Sequence, residues 1–358
     1  MRPTVTMPRC TVVLRRAVLA ALLLATLGAH AAAPAVAYPN TSNFGVPFHE
    51  DEDWYRQCMR VAERAPSAAW SAAPTPAGER TDATIRYYQK RDQATTTVAE
   101  WRVVRDQALA LGDDAVLMML YANGYGVARD ADRALYHACR LNTAKAEMEG
   151  RVAYLASSAA AADGQAFDLC DHITSGRMGG VCAAIDADRN DRLRARRLDR
   201  FAASLPAAAR APFARLRQAA DAFARKSADE VDMTGTGAAG VAFRHAGQRD
   251  KEFVDTLFKA ASGRLARANA AQLARLDRQL NVEYRNVLAS QSADENHPER
   301  TAYSTVTRDD VRSTERAWLA YRDAWTAYLA AARPRGDLVS VQAELTRQRI
   351  AQLERLQR

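Results

Sequence analysis

The sequence contains little of what an enzyme, a fibrous protein or a transmembrane protein needs. Aromatic residues make up only 7% of its 358 residues, and the 17 Gly and 12 Pro are too few for a collagen-like or low-complexity chain. It has no H-E-x-x-H zinc motif and no nucleophile-elbow serine, and its six histidines do not cluster. Alternating strand patterns are also missing, so we predict an all-α fold. We assign no catalytic, cofactor-binding or metal-binding residues, and we expect a protein that is not an enzyme.

The longest apolar run, AVLAALLLATLG, lies near the N-terminus and follows four arginines. It is shorter than the roughly 20 residues of a membrane-spanning helix. Small-x-small sites end at Ala31 and Ala37, which is typical of a secretory signal peptide. We predict a signal peptide over residues 1–31, cleaved near Ala31 or Ala37, and a periplasmic or secreted protein without stable membrane insertion. An uncleaved N-terminal anchor is the alternative.

The charge distribution is uneven. The chain carries a net charge of +8, and loss of the signal peptide would remove four arginines and leave +4. This charge is too small to indicate nucleic-acid binding, and we expect no nucleic-acid partner. The segment Arg189–Lys226 nevertheless holds eleven basic residues against three aspartates. Such a segment is usually a solvated helical face, and an anion-binding surface is the alternative.

Cleavage would also remove Cys10 and leave four cysteines: Cys58, Cys139, Cys170 and Cys182. An even number in an exported chain favours disulfides, and four cysteines allow three pairings. Gly176, Gly179 and Gly180 follow Cys170 and predict a turn between two helices. A Cys170–Cys182 bridge would close that hairpin and leave Cys58 to pair with Cys139. A zinc site that also uses His137 or His172 is the alternative, but the spacing matches no strong ligand pattern.

Proline, glycine and apolar periodicity divide the mature chain. Residues 32–80 are predicted as an extended lead with a short helix near 52–64 and a Pro-rich linker. Residues 81–188 form a helical repeat region, 189–262 a helical segment that is a possible degenerate half-domain, and 263–358 a C-terminal helical domain. Breaks are predicted at 235–247 and 333–336, and the G-x-G-x-x-G at 235–240 is interpreted as a flexible loop because no strand precedes it.

The segment AVLMMLYANGYGVARDADRALYHA (115–138) resembles a Sel-like repeat, a relative of the tetratricopeptide repeat. The residues that carry the resemblance are Tyr121, Gly124, Gly126 and Asp130. Gly124 and Gly126 permit the positive φ of a tight turn, and Asp130 can cap the following helix. One repeat cannot bury its own face, so residues 81–112 and 143–189 are predicted to be degenerate hairpins that stack on it. The resemblance implies a protein-binding scaffold or a spacer.

Residues 276–353 resemble the N-terminal domain of the LprI-type lysozyme-inhibitor family. The matching residues are Leu280, Asn281, Tyr284, Trp318, Tyr321, Arg322, Asp323, Thr346 and Arg349. Unlike many family members, this chain has no cysteine after Asp323, so packing must replace a disulfide. Trp318, Tyr321, Trp325 and Tyr328 form one helical stripe, which is either core or a partner-binding patch. The segment 213–224 also resembles 318–329, which suggests an internal duplication.

These features predict an exported, non-enzymatic protein-binding module. The family resemblance implies a lysozyme-like cell-wall hydrolase as the partner, occluded at its cleft, or a delivered toxin against which the protein confers immunity. The alternative is an envelope scaffold that uses the helical repeat face. A basic hydrolase would be repelled by Arg189–Lys226, so the acidic remainder of the surface is the expected contact face.

Overall fold

The protein was analysed as a computed structural model, which describes residues 37–63, 82–157, 165–302, 304–332 and 338–357. Within these ranges the chain forms twelve α-helices and a short 3₁₀ helix, and its only β-type pairing is an isolated bridge between Arg300 and Thr307. The all-α prediction is therefore confirmed. The predicted signal peptide, the Pro-rich linker and the break at 333–336 lie outside the described residues.

Six short helices build the first core, which contains buried apolar residues from Phe44 to Leu169. The helices are α1 (Asp53–Ala62), α2 (Ala83–Arg91), α3 (Val98–Leu111), α4 (Asp114–Asn123), α5 (Ala131–Ala138) and α6 (Lys145–Ala156). Helix α4 lies at the centre, because every residue from Val116 to Ala122 is buried and α2, α3 and α5 pack around it. Leu111, the last residue of α3, is 49% exposed.

The turn between α4 and α5 requires glycine. Gly124 and Gly126 have φ of +70° and +69°, a backbone conformation that side chains disfavour. A Cβ at Gly126 would also collide with Trp101 on α3. Asp130 then caps α5 by accepting a hydrogen bond from the Arg133 amide, and its own amide donates to the Tyr121 carbonyl.

Two disulfides connect this first region. Cys58 on α1 bonds to Cys139 just after α5, across 81 residues, and Cys170 bonds to Cys182 across 12. The prediction of disulfides is thus confirmed. The predicted turn at Gly176–Gly180 is wrong, because these glycines form the first turns of a 28-residue helix, α7 (Gly176–Ala203), which Ser175 caps. The Cys170–Cys182 bridge joins an irregular segment to this helix and does not close a helical hairpin.

Helix α7 connects the first core to a second core. Met178 and Ile185 near its start pack on the first core, and Leu198 near its end is buried in the second. The helix is also tied to α2, because Arg189 and Arg192 both pair with Asp92 at 2.9 Å. Residue 188, where the sequence suggested a domain boundary, lies inside this continuous helix.

The second core contains buried apolar residues from Leu198 to Leu353. Its other helices are α8 (Ala207–Ser227), α9 (Ala238–Ala261), α10 (Ala270–Ala289), α11 (Arg308–Ala332) and α12 (Leu338–Arg355), with the 3₁₀ helix Ala228–Glu230 between α8 and α9. The predicted break at 235–247 and the flexible loop at 235–240 are wrong beyond Gly237, since α9 begins at Ala238. Gly240 is part of α9 at the point where that helix crosses α7. A Cβ at this position would lie only 3.2 Å from the Gly179 carbonyl oxygen, so glycine suits the close crossing.

The second core has a repeated arrangement of three helices. Helix α7 packs on α9, helix α10 packs on α12, and α8 and α11 pack on each other. Arg217 on α8 pairs with Asp199 on α7 at 2.6 Å, and Arg322 on α11 pairs with Asp277 on α10 at 3.6 Å. These arginines are the ones that the suspected duplication aligns, so the ion pairs are consistent with two related halves.

Candidate functional site

The aromatic stripe of α11 belongs to the core. Trp318, Tyr321, Trp325 and Tyr328 are at most 3% exposed. Tyr321 stacks on Phe223, and Tyr328 packs against Phe213. A partner could reach these rings only by unfolding the bundle, so the alternative of a partner-binding aromatic patch is wrong.

Arg349 on α12 lies at the centre of a fully buried ionic network. Its guanidinium donates two hydrogen bonds to Glu230, at 2.7 and 2.8 Å, and one to Glu315 on α11 at 2.9 Å. The side chains of Arg349 and Glu230 are 0% and 1% exposed. Burial alone would lower the pKa of Arg349, but the two carboxylates outweigh burial and hold that pKa above its usual value. This family-motif arginine therefore joins α12, α11 and the 3₁₀ helix.

The remaining family-motif residues are divided between core and surface. Arg322 pairs with Asp277 and lies 5.0 Å from the Trp318 ring, Asn281 donates to the Asp277 carbonyl, and Asp323 is exposed. The motif residues that are buried or partly buried are Leu280, Tyr284 and Thr346. Apart from Asn281 and Asp323, the motif therefore points inward and shapes the bundle more than its outer surface.

The basic segment Arg189–Lys226 is partly neutralised within the chain. Arg189, Arg192, Arg194, Arg217 and Lys226 all form ion pairs with aspartates. The Arg197 guanidinium lies 4.0 Å from the Phe258 ring centre, and Arg210 donates to carbonyls at the end of α7. Most of the eleven basic side chains thus have internal partners, which favours a structural role over an anion-binding surface.

A long loop, described at residues 290–302 and 304–307, connects α10 to α11. Arg308 at its end donates to the carbonyls of Leu288, Ser290 and Pro298. The Ala293 amide bonds to the Ala302 carbonyl, and Arg300 pairs with Asp294 at 3.2 Å. We name this segment the acidic loop, because its tip carries Asp294, Glu295 and Glu299 against Arg300. Loops longer than about 12–15 residues in compact domains are usually functional or disordered, and these bonds hold this one in a single conformation.

The acidic loop is fixed at its far end as well. Asp232, in the segment before α9, accepts hydrogen bonds from the amide and the hydroxyl of Thr305 at 3.1 Å. Thr307 and Asp310 then form a reciprocal cap at the start of α11. Asp113 similarly caps α4. Asp310 and Asp113 therefore serve as helix caps.

Groups that could perform chemistry are dispersed. In the described ranges no cluster of His, Cys, Asp and Glu could hold a metal ion, and the four cysteines there are all disulfide-bonded. His137 lies 2.8 Å from Asp114 and stacks on Tyr121, whereas His245 is largely buried among arginines. His137 and the cysteines therefore take part in packing and covalent bracing.

Arg308, which organises the acidic loop, lies in the segment 305–308, which carries part of the family resemblance. Sequence reasoning missed two structural partners. Glu230, which receives Arg349, is separated from it by 119 residues. The second is Asp250, a buried carboxylate of α9 that belongs to no motif. Contacts between residues so far apart in the sequence produce no local pattern from which they could be predicted.

The described residues define an all-helical protein that presents a long loop between α10 and α11. Residues 259–353 match the model of the family described as lysozyme inhibitor LprI. The match covers roughly a quarter of the chain, from the last turn of α9 through α12, and confirms the family resemblance of this region. No curated protein and no solved structure gives a significant match. No described helix is both long and apolar enough to cross a bilayer.

Proposed function

We propose that the protein is exported and that its family-matched region binds a lysozyme-like cell-wall hydrolase and blocks access to the hydrolase cleft. The observation that carries this proposal is the match of residues 259–353 to the lysozyme-inhibitor family. The two disulfides support export, because such bonds persist in oxidising compartments. A signal peptide at residues 1–31, with cleavage near Ala31 or Ala37, is part of the proposal.

We further propose the acidic loop as the contact element. It is the longest described connection in the matched region, and its internal hydrogen bonds fix its conformation before binding. A pre-organised loop loses less conformational entropy when it binds than a mobile one. Its internal order therefore suits the occlusion of a cleft.

Charge supports the same assignment. Lysozyme-like hydrolases are often basic, and the acidic loop presents Glu295 and Glu299 on an exposed tip. Complementary charge accelerates encounter and selects the partner. The exposed part of Arg189–Lys226 would disfavour a basic partner elsewhere on the surface.

The test measures affinity and inhibition against a panel of lysozyme-like hydrolases and hydrolase toxins. We expect micromolar or tighter binding to at least one panel member, together with loss of peptidoglycan hydrolysis. The double variant Glu295→Lys/Glu299→Lys should weaken binding by about tenfold or more, because like charges then face each other.

The control is Asp53→Lys, which reverses an exposed charge on α1 far along the chain from the loop. Its side chain is 91% exposed, against 54% for Glu299. Equal effects of the loop variant and the control would contradict the loop assignment. Absence of binding across the panel would contradict the inhibitor role. Co-purification of envelope proteins without any effect on hydrolysis would favour the scaffold alternative.

A further inference from the structure

An open cavity of about 620 Å³ lies between α7, α8 and α9, outside the family-matched residues. Its walls consist largely of alanines, including Ala187, Ala224 and Ala246, and the side chains of Met233 and Phe243 at the cavity are 52% and 42% exposed. This volume lies within the range of small-ligand sites. The cavity therefore combines a smooth apolar wall with an exposed thioether and an aromatic ring.

The charged lining of this cavity is unbalanced. Arg194 pairs with three carboxylates: Asp191 at 3.0 Å, Asp221 at 3.6 Å and Asp250 at 2.5 Å. One guanidinium cannot neutralise three carboxylates. Arg225 adds one positive charge to the lining, and Asp188 is paired with Arg192, which lies outside the lining. The lining therefore retains an excess of one carboxylate.

Asp250 is the least satisfied of these groups. It is 9% exposed, and its Oδ1 atom is buried without a hydrogen-bond partner in the described structure. Buried carboxylate oxygens normally have a partner. Burial raises the pKa of Asp250 to about 7, with Arg194 lowering it and Asp191 and Asp221 raising it. One oxygen of Asp250 thus pairs with Arg194, and the other is left without a partner.

We propose that this cavity binds the ammonium or guanidinium head of an alkyl chain, with the head at Asp221 and Asp250 and the stem along the alanines. The acidic residues supply charge-assisted hydrogen bonds, and the apolar wall accommodates a stem of several methylenes, as around a lysine or arginine side chain. A second cavity shares Asp191, Arg194 and Asp250 with this one. It is lined by four acidic and four basic side chains and therefore lacks this excess of negative charge.

The proposal does not depend on hydrolase binding, and its test uses small probes. We expect cadaverine and agmatine to bind the protein saturably by calorimetry, with cross-peak shifts confined to α7–α9 in heteronuclear spectra, whereas 1-pentanol should bind at least about tenfold more weakly. Affinity should rise between pH 5.5 and 8 as Asp250 ionises. The groups that face Asp250 across the cavity are Asp188, Asp191 and Arg194 on α7, and Asp221 and Arg225 on α8.

Two variants and a control make the result specific. Asp250→Asn and Asp221→Asn should each reduce affinity for agmatine at least about tenfold, the effect of one lost charge-assisted bond. Asp199→Asn is the control. Asp199 on α7 likewise pairs with an arginine of a neighbouring helix, Arg217 on α8, but it does not line this cavity, so its loss should leave the affinity for agmatine unchanged. Absence of saturable binding at millimolar probe, or equal affinities in all three variants, would overturn the proposal.

A second arm identifies the source of the cation. A lysine-containing peptide blocked at both ends is compared with its Nε-acetylated form and with cadaverine. Tighter binding of the unmodified peptide would support a protein side chain as the natural occupant. Binding of cadaverine but not of the peptides would support a free amine as the natural occupant. Both results would support a cation with an alkyl stem as the ligand of this cavity.

Discussion

The two cores of this protein are stabilised in different ways. The first, built from α1–α6, is held by two disulfides, whereas the second has none among its described residues and is centred on the aromatic residues of α11 and the buried Arg349 network. Disulfides act mainly by restricting the unfolded chain, while a buried ion network acts in the folded state. The first core should therefore depend on the redox environment and the second on the integrity of its charges.

The largest expected effect concerns the second core. Arg349→Met would leave Glu230 and Glu315 buried without their cation, and breaking a buried ion pair costs about 3–5 kcal/mol. We expect a loss toward the upper end of that range, because two carboxylates lose their partner. The free energy of unfolding, measured by urea denaturation, checks this. Arg347→Met is the control, since that side chain is 40% exposed and pairs only with Glu344 along α12.

The converse experiment affects the first core. Loss of Cys58–Cys139 in a Cys58→Ala/Cys139→Ala variant should cost about 4 kcal/mol, because the bridge closes 81 residues. Loss of Cys170–Cys182, which closes only 12, should cost about 3 kcal/mol. Amide hydrogen exchange reports on the two cores separately. In the variants that lack a disulfide, we expect the amides of α1–α6 to lose protection while those of α11 and α12 keep theirs. Equal loss of protection in both cores would contradict their separate bracing.

The contact between the start of α7 and the start of α9 connects the two regions. A Cβ at Gly176 would collide with the backbone of Thr236 and Gly237, whereas a Cβ at Gly179 meets nothing within 4 Å. Gly176→Ala should therefore destabilise by about 3 kcal/mol, the upper range for overpacking. Gly179→Ala should stabilise by about 0.5–1 kcal/mol, since alanine is favoured over glycine in a helix. If the close approach exists, thermal denaturation should show a lower melting temperature for Gly176→Ala and a higher one for Gly179→Ala than for the wild type.

The glycines of α7 also show where sequence analysis stops. Helical periodicity, caps such as Asp130 and the C-terminal family motif predicted the fold class and the matched region, because these signals are local. Gly176 and Gly240 were interpreted as parts of a turn and a loop, since glycine disfavours helices. Here they allow α7 to lie close to the start of α9. The pairing of Arg349 with Glu230 and the unsatisfied Asp250 depend on contacts distant in sequence, which no local pattern encodes.

Two groups on α9, the partly buried His245 and the buried Asp250, should make the stability depend on pH. Burial and three arginines lower the pKa of His245 to about 4, so its contribution to stability is lost as pH falls from 6.5. Burial raises the pKa of Asp250 to about 7, so its contribution is lost as pH rises from about 4. Between pH 5 and 6.5, His245 makes the free energy of unfolding rise with pH, whereas Asp250 makes it fall with pH. Relative to the wild type, Asp250→Asn should gain about 2 kcal/mol across this interval as pH rises, and His245→Gln should lose about 2 kcal/mol.

Urea denaturation at four pH values measures these differences, and comparison with the wild type cancels the titration of all other groups. Asp199→Asn and His297→Gln, whose side chains are 66% and 45% exposed, are the control variants. If Asp250→Asn is the more stable protein at pH 8, then Asp250 lowers the stability of the fold. A cation bound in the adjoining cavity would offset that cost, so agmatine should stabilise the wild type more than the variant. A pH-independent difference for Asp250→Asn would mean that Asp250 titrates as an ordinary exposed carboxyl, and would remove this link between stability and binding.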